Sequence, residues 1–191
     1  MIYTIGHSNH SARRFIDLLQ GAGIDCVADV RSTPFSRRNP QFSQKALMAS
    51  LKDAGIEYWF LGDALGARPK DVDCYEGGKV SYARIAASPT FQEAIHALID
   101  VSHAKRIALV CAEKEPLECH RTILVGRALK QRDTDLGHIH ADGRVEPQAE
   151  LEERLLHLAK EKVDLLNGRD TALAHAYDKQ GKRMAYGAAD R

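Results

Sequence analysis

The sequence predicts one three-layer α/β/α domain around a mostly parallel sheet. Short apolar runs of strand length alternate with segments whose apolar residues recur at helical spacing, the pattern of βαβ units. The 191 residues match the size of one domain. Each apolar run also ends in polar or reactive residues: His7-Ser8, Asp29-Arg31, Gly62-Asp63, Cys111-Glu113 and His138-His140. Sheets of this class bind ligands beyond the carboxyl ends of their strands, so a site belongs on these loops.

Residues 2–5 are apolar and stop at Gly6-His7-Ser8-Asn9, a buried strand entering a tight loop. Phe15, Ile16, Leu18 and Leu19 share a helical face, with Ser8 or Ser11 as N-cap and Gly21 and Gly23 as the stop. Residues 26–30 form a second strand, 44–54 a helix ended by Gly55, and 56–61 a third strand. The Gly-, Asp- and Lys-rich stretch 62–80 is a long loop. Helices follow over 82–87 and 89–102, the second with Pro89 in its first turn. Residues 107–111 are the clearest central strand, 120–131 a helix, 136–140 the last strand and 146–166 a long leucine-bearing helix. The domain so drawn covers 1–167 and leaves 168–191 as a polar, loosely ordered tail.

The net charge is +1, so no whole-molecule basic field draws in a nucleic acid, and any anionic partner must meet a local patch. Cys26, Cys74, Cys111 and Cys119 form no CxxC pair. The N-terminus lacks a signal-peptide pattern and nothing approaches the ~20 apolar residues of a membrane span. The expectation is a cytoplasmic protein with reduced cysteines and no membrane partner.

Three constellations carry candidate chemistry. Cys111-Ala112-Glu113 leads through a short loop to Cys119-His120-Arg121 at a helix start. A helix N-terminus favours anions and lowers the pKa of a thiol placed there, while a buried carboxyl is tuned for proton transfer. Cys119 is therefore the expected reactive thiol and Cys111 an inert one at the end of a buried strand. The same residues also suit a buried packing cysteine and a plain Glu113–Arg121 pair. The spacing of a phosphocysteine loop is absent. The second constellation is Gly6-His7-Ser8, where His7 is an acid/base candidate and Ser8 a ligand or cap. The third is the stretch 31–45, with Arg31, Arg37, Arg38 and Lys45, no acidic residue, and Phe35 and Phe42 between them. Phosphates suit such a patch and bases stack on its aromatics. Paired metal-ligand spacings are missing, so no metal is assigned. His138 and His140 are expected on opposite faces of the last strand. No GxGxxG or P-loop is present, and the cofactor is left unknown.

The ordered set TIGHS, DVRSTPFSRR, YWFLGDALGAR, ALVCAEKEPLECHR and GHIH resembles the domain-of-unknown-function family 488 over residues 2–143. The family pattern falls on Gly6, His7, Ser8, Asp29, Arg31, Pro34, Ser36, Tyr58, Leu61, Gly62, Leu65, Gly66, Cys111, Glu113, Cys119, His120, Arg121 and His138. Ala67 stands where the family carries a second glycine, which leaves that loop's backbone open. The resemblance implies a site on the loops after the strands and no particular reaction.

The function expected from these residues is an enzyme, a hydrolase among the classes that suit it, acting on a nucleotide or nucleic acid. Glu113, Asp29, His7 and Cys119 are the catalytic candidates. Ser8, Arg31, Ser36, Arg37, Tyr58, His120 and Arg121 are the substrate-binding candidates. Two alternatives stand beside it: a non-catalytic nucleic-acid-binding or ligand-sensing module, and a thiol- or metal-dependent site at Cys111 and Cys119.

Overall fold

Strand β6 comes late in the chain yet lies inside the sheet. Running over Ile107–Cys111, it sits between β1 (Ile2–Gly6) and β2 (Cys26–Asp29), parallel to both. Gly6 stands opposite Cys111, and Asp29 opposite Val110. β3 (Glu57–Phe60) adds beyond β2 and β7 (Leu136–Ile139) beyond β1, again parallel. β8 (Val145–Pro147) closes the far edge antiparallel to β7, giving the order β3-β2-β6-β1-β7-β8. A separate hairpin joins β4 (Tyr75–Glu76) and β5 (Lys79–Val80). The structure, a computed structural model, describes residues 1–163 and 168–187.

Alternate side chains of each strand point to opposite faces. Ile5, Val27, Ala108 and Val110 meet Phe15, Leu18 and Leu19 of α1 (Ala12–Gly21) and Leu47 and Leu51 of α2 (Gln44–Asp53). Ile2, Ala28, Ile107 and Leu109 meet Phe91, Ile95 and Leu98 of α5 (Pro89–Ser102) on the other face. Two short helices, α3 (Gly62–Leu65) and α4 (Tyr82–Ala87), precede α5. The three layers are those the alternation predicts. Ser11, not Ser8, caps α1, its hydroxyl accepting from the Arg14 amide at 3.1 Å.

Several boundaries differ from the sequence expectation. The segment expected as one helix over 120–131 begins as a wide π-helical stretch, Arg121–Gly126, and narrows into α6 (Arg127–Lys130). The long helix expected from residue 146 starts as strand β8 and becomes α7 (Gln148–Ala159), which Lys160 ends in a left-handed conformation. Leu165 and Leu166 lie outside the described residues. The expected loose tail is largely α8 (Arg169–Met184), whose Ala172, Ala176 and Tyr177 pack on Leu151 and Leu155 of α7. Polar composition hid this helix because its buried stripe, Ala172, Ala176, Tyr177, Gln180 and Gly181, is mostly small or polar and adds little apolar signal. Among the described residues, no helix is long and apolar enough to cross a membrane.

Candidate functional site

Because β6 inserts between β1 and β2, the loops that follow these three strands share one edge of the sheet. They are tied together by backbone bonds, His7 N–H to the Cys111 carbonyl (2.8 Å) and Ser8 N–H to that of Ala112 (2.9 Å). Gly6 makes this approach possible. A Cβ built on it would lie 1.8 Å from the Glu113 carbonyl oxygen, so no side chain fits. Above the loops opens a cleft of about 850 Å³, lined by His7, Ser8, Arg31, Ser36, Arg37, Arg38, Arg68, Cys111, Glu113 and His120 among others. A smaller hollow of about 550 Å³ lies between the 115–118 turn and α7, and none of the sequence candidates lines it.

Cys111, His120 and Glu113 form the floor of the cleft, and Cys119 lies just behind them, outside its lining. The Sγ atoms of Cys111 and Cys119 lie 3.0 and 3.1 Å from Glu113 Oε2, which accepts from both. His120 Nε2 donates to the carbonyl of Val30 at 2.9 Å, turning Nδ1 toward Cys111 Sγ at 3.6 Å. The cysteines are free and buried, with Cys119 only 1% exposed. Burial and then the neighbouring Cys119 thiol push the Cys111 thiol up. Burial opposes ionisation of Cys119 too, but the hydrogen bond with Cys111 and the positive charges of Arg121 and His120 outweigh it and bring that thiol down. The directions agree with the sequence expectation, although Cys119 is as sheltered as its neighbour. His120 is raised, because its bond to Cys119 overcomes the opposing effect of burial. Glu113 is exposed as a residue, yet its carboxyl group turns inward and is raised by burial and then by Cys119.

His7 completes the floor. Its Nδ1 donates to the Ser8 carbonyl at 2.9 Å, which leaves the lone pair on Nε2, and its ring stacks on Phe42 at 4.4 Å. Burial lowers its pKa to about 4, so it is neutral through the physiological range. Ser8 holds φ at 47°, a conformation uncommon outside glycine.

Three candidates take positions different from the roles expected of them. Asp29 is fully buried and accepts from Arg31 Nε (2.8 Å), Arg31 Nη2 (2.6 Å), the Arg31 amide (3.1 Å) and the Tyr58 hydroxyl (2.9 Å). With both oxygens engaged and outside the cleft wall, it positions Arg31 and is not placed for proton transfer. Tyr58 stands behind that pair, so it does not line the cleft either. Arg121, expected as an anion binder, is 0% exposed; it donates to the carbonyls of Glu113 (2.7 Å) and Lys114 (3.3 Å) and anchors the 111–121 loop. Arg31 remains at the cleft wall, with Nη1 donating to the Phe42 carbonyl at 2.8 Å.

The basic stretch forms the mouth. Arg37 and Arg38 are exposed and face the cleft, as does Phe35, whereas Phe42 is buried against His7 and Phe15 and is unavailable for stacking on a ligand. Ser36 Oγ accepts from the Asn39 amide at 3.0 Å and shapes the turn. His138 and His140 do not face opposite sides, since residues two apart on a strand share a face. His138 is buried, accepting from the Thr4 hydroxyl (2.9 Å) and donating to Gln148 Oε1 (2.8 Å), while His140, beyond the strand end, pairs with Glu146 at 2.8 Å. Ala67 does not adopt a left-handed backbone, so alanine is accommodated where the family carries glycine.

The model of the family described as Domain of unknown function DUF488 matches residues 11–128. The chain belongs to this family. No curated protein and no solved structure matches it. The DUF488 match contains the basic loop, the Cys111–Arg121 loop and α4, but the wall beyond it comes from the C-terminal segment. There Arg68 lies over the Tyr186 ring at 4.3 Å, Val80 N–H donates to the Tyr186 carbonyl at 2.9 Å, and Met184 and Tyr186 line the cleft. Sequence reasoning missed Arg68, Tyr82 and Tyr186 as cleft residues. Tyr186 lies beyond the end of α8, and its place at the cleft follows from the docking of the C-terminal segment, which carries no sequence signal.

Proposed function

We propose that this DUF488 protein is an enzyme acting on a phosphate-bearing substrate, a nucleotide or nucleic acid, by acid/base chemistry in the cleft. One observation carries the reading: a single cleft has arginines 37, 38 and 68 around its mouth and Glu113 and His7 on its floor. Arginines present planar donor pairs that suit phosphate oxygens. Burial raises the Glu113 carboxyl and so favours its protonated form, a proton donor, and the free Nε2 of a neutral histidine accepts a proton. Ser8, Ser36 and the remaining Arg31 N–H groups add hydrogen bonds, and exposed Phe35 offers a face to a base. The free Nε2 of His7 takes the proton from the attacking water and Glu113, whose protonated form is favoured by burial, gives one to the leaving group, which makes hydrolysis the favoured class. Glycosidic cleavage, which uses two carboxylates, is less suited, because Asp29 is committed to Arg31. Reduced cysteines fit a cytoplasmic location.

The test is binding and turnover with nucleotides and short DNA and RNA across a salt series. Glu113→Gln is expected to retain affinity and lose turnover. Arg37→Ala with Arg38→Ala is expected to weaken binding and flatten its salt dependence, because fewer counterions are released. Unchanged affinity and slope in the double variant would remove nucleic acid as the substrate.

A further inference from the structure

We propose that Cys111, Cys119 and His120 bind a zinc ion on the floor of the cleft. The sequence offered no paired-ligand spacing, and the site arises only when the end of β6 meets the start of the π-helical stretch. The two Sγ atoms and a ring nitrogen of His120 lie within 4.8 Å of one another. The Cys111 Sγ to His120 Nδ1 distance is 3.6 Å. A tetrahedral ion with bonds of ~2.3 Å to sulfur and ~2.0–2.1 Å to nitrogen sets such a pair ~3.6 Å apart. The Cys111–His120 pair already has the spacing that the ion demands, and Cys119 Sγ lies within 4.8 Å of both.

The imidazole is also oriented for this. Its Nε2–H donates to the Val30 carbonyl at the end of β2, so the Nδ1 lone pair faces the sulfurs. Ligating histidines in metal sites are held in this way by an outer partner. Thiolate donors select zinc over magnesium or calcium. Charge balance supports the same occupant. The ion displaces two protons from the two thiols and the imidazole, wherever those protons reside among them, so the charge facing Glu113 and buried Arg121 is unchanged. Glu113 Oε2, within 3.1 Å of both sulfurs, stands beside the site. Three protein ligands beside an open cleft are the arrangement of a catalytic zinc, which activates a water, not of a closed structural one. Metal binding stands apart from the substrate reading: the cleft can hold zinc and take no nucleotide, and the ion is detected without any substrate.

The experiment titrates the reduced, metal-stripped full chain with Co²⁺ and then Zn²⁺ alone. Saturation at one Co²⁺ per chain is expected, with thiolate-to-cobalt charge transfer in the near ultraviolet and intense visible bands of a four-coordinate ion, both abolished by Zn²⁺. About two protons should be released per ion at neutral pH. Cys111→Ser and Cys119→Ser should each lose the charge-transfer band, whereas Cys26→Ser and Cys74→Ser should keep it. A second measurement needs no variant. Zinc should protect Cys111 and Cys119 of the unsubstituted chain from alkylation until a chelator is added, and leave the labelling of Cys26 and Cys74 unchanged. Absence of the charge-transfer band, equal labelling with and without zinc, or formation of a Cys111–Cys119 disulfide in the presence of equimolar zinc would each overturn the proposal.

Discussion

Acidification should destabilise this protein through two buried histidines, and replacing one of them should measurably blunt the effect. His138 is 0% and His7 3% exposed, and burial brings each pKa from 6.5 to about 4. The folded pKa lies below the unfolded one, so the unfolded chain takes up protons first as the pH falls. The stabilisation is fully present above the unfolded pKa, declines from about pH 6.5, and is lost near pH 4. Each shift corresponds to ~3 kcal/mol at its limit, and to ~2 kcal/mol between about pH 7.5 and pH 5. The pair together removes ~4 kcal/mol over that interval, a large share of the ~5–15 kcal/mol typical of a domain. His138→Gln keeps a polar group between the Thr4 hydroxyl and Gln148 without the titration. It should cost ~1 kcal/mol at about pH 7.5 through imperfect hydrogen bonds. The decisive quantity is the difference between urea unfolding free energies at the two pH values. That difference should shrink by ~2 kcal/mol in the variant, while contributions from carboxylates cancel. An identical loss in both proteins would mean that His138 accepts a proton without unfolding, and the reasoning would fail.

Three further outcomes follow from close contacts. Gly6→Ala drives a Cβ into the Glu113 carbonyl, so the 111–121 loop must move; a loss of ~1–3 kcal/mol on thermal unfolding and faster alkylation of Cys111 are expected, and an unchanged melting temperature would contradict the packing. Asp29→Asn leaves the buried Arg31 guanidinium without its carboxylate and should cost ~3–5 kcal/mol, read from denaturant unfolding. Arg121→Met strips the Glu113 and Lys114 carbonyls of charged donors and should cost ~3 kcal/mol, whereas Arg37→Ala, on the exposed rim, should stay within ~0.5 kcal/mol in the same assay.

Local pattern determined a good deal of this protein. The alternation of apolar runs carries the strands and helices, because side-chain period follows directly from backbone geometry. Ser11 and Pro89 mark their helix starts through hydrogen bonding and fixed φ that need no distant partner. The residues at strand ends, His7, Arg31, Cys111 and Glu113, do come to one cleft, since a parallel sheet delivers its carboxyl ends to one side. Strand order was not in the sequence, because pairing β6 between β1 and β2 is a contact between segments some eighty to a hundred residues apart. That insertion decides which polar residue finds which partner. It sets the Nε2 of His120 on Val30, while the loops, folding back on themselves, consume Asp29 on Arg31, bury Arg121 and bring His120 against Cys111. A polar residue's role depends on what satisfies its hydrogen bonds, and for these residues the partners come from elsewhere in the chain or from how the loops fold back. Periodicity records which way a side chain points; only the tertiary structure records what it meets there.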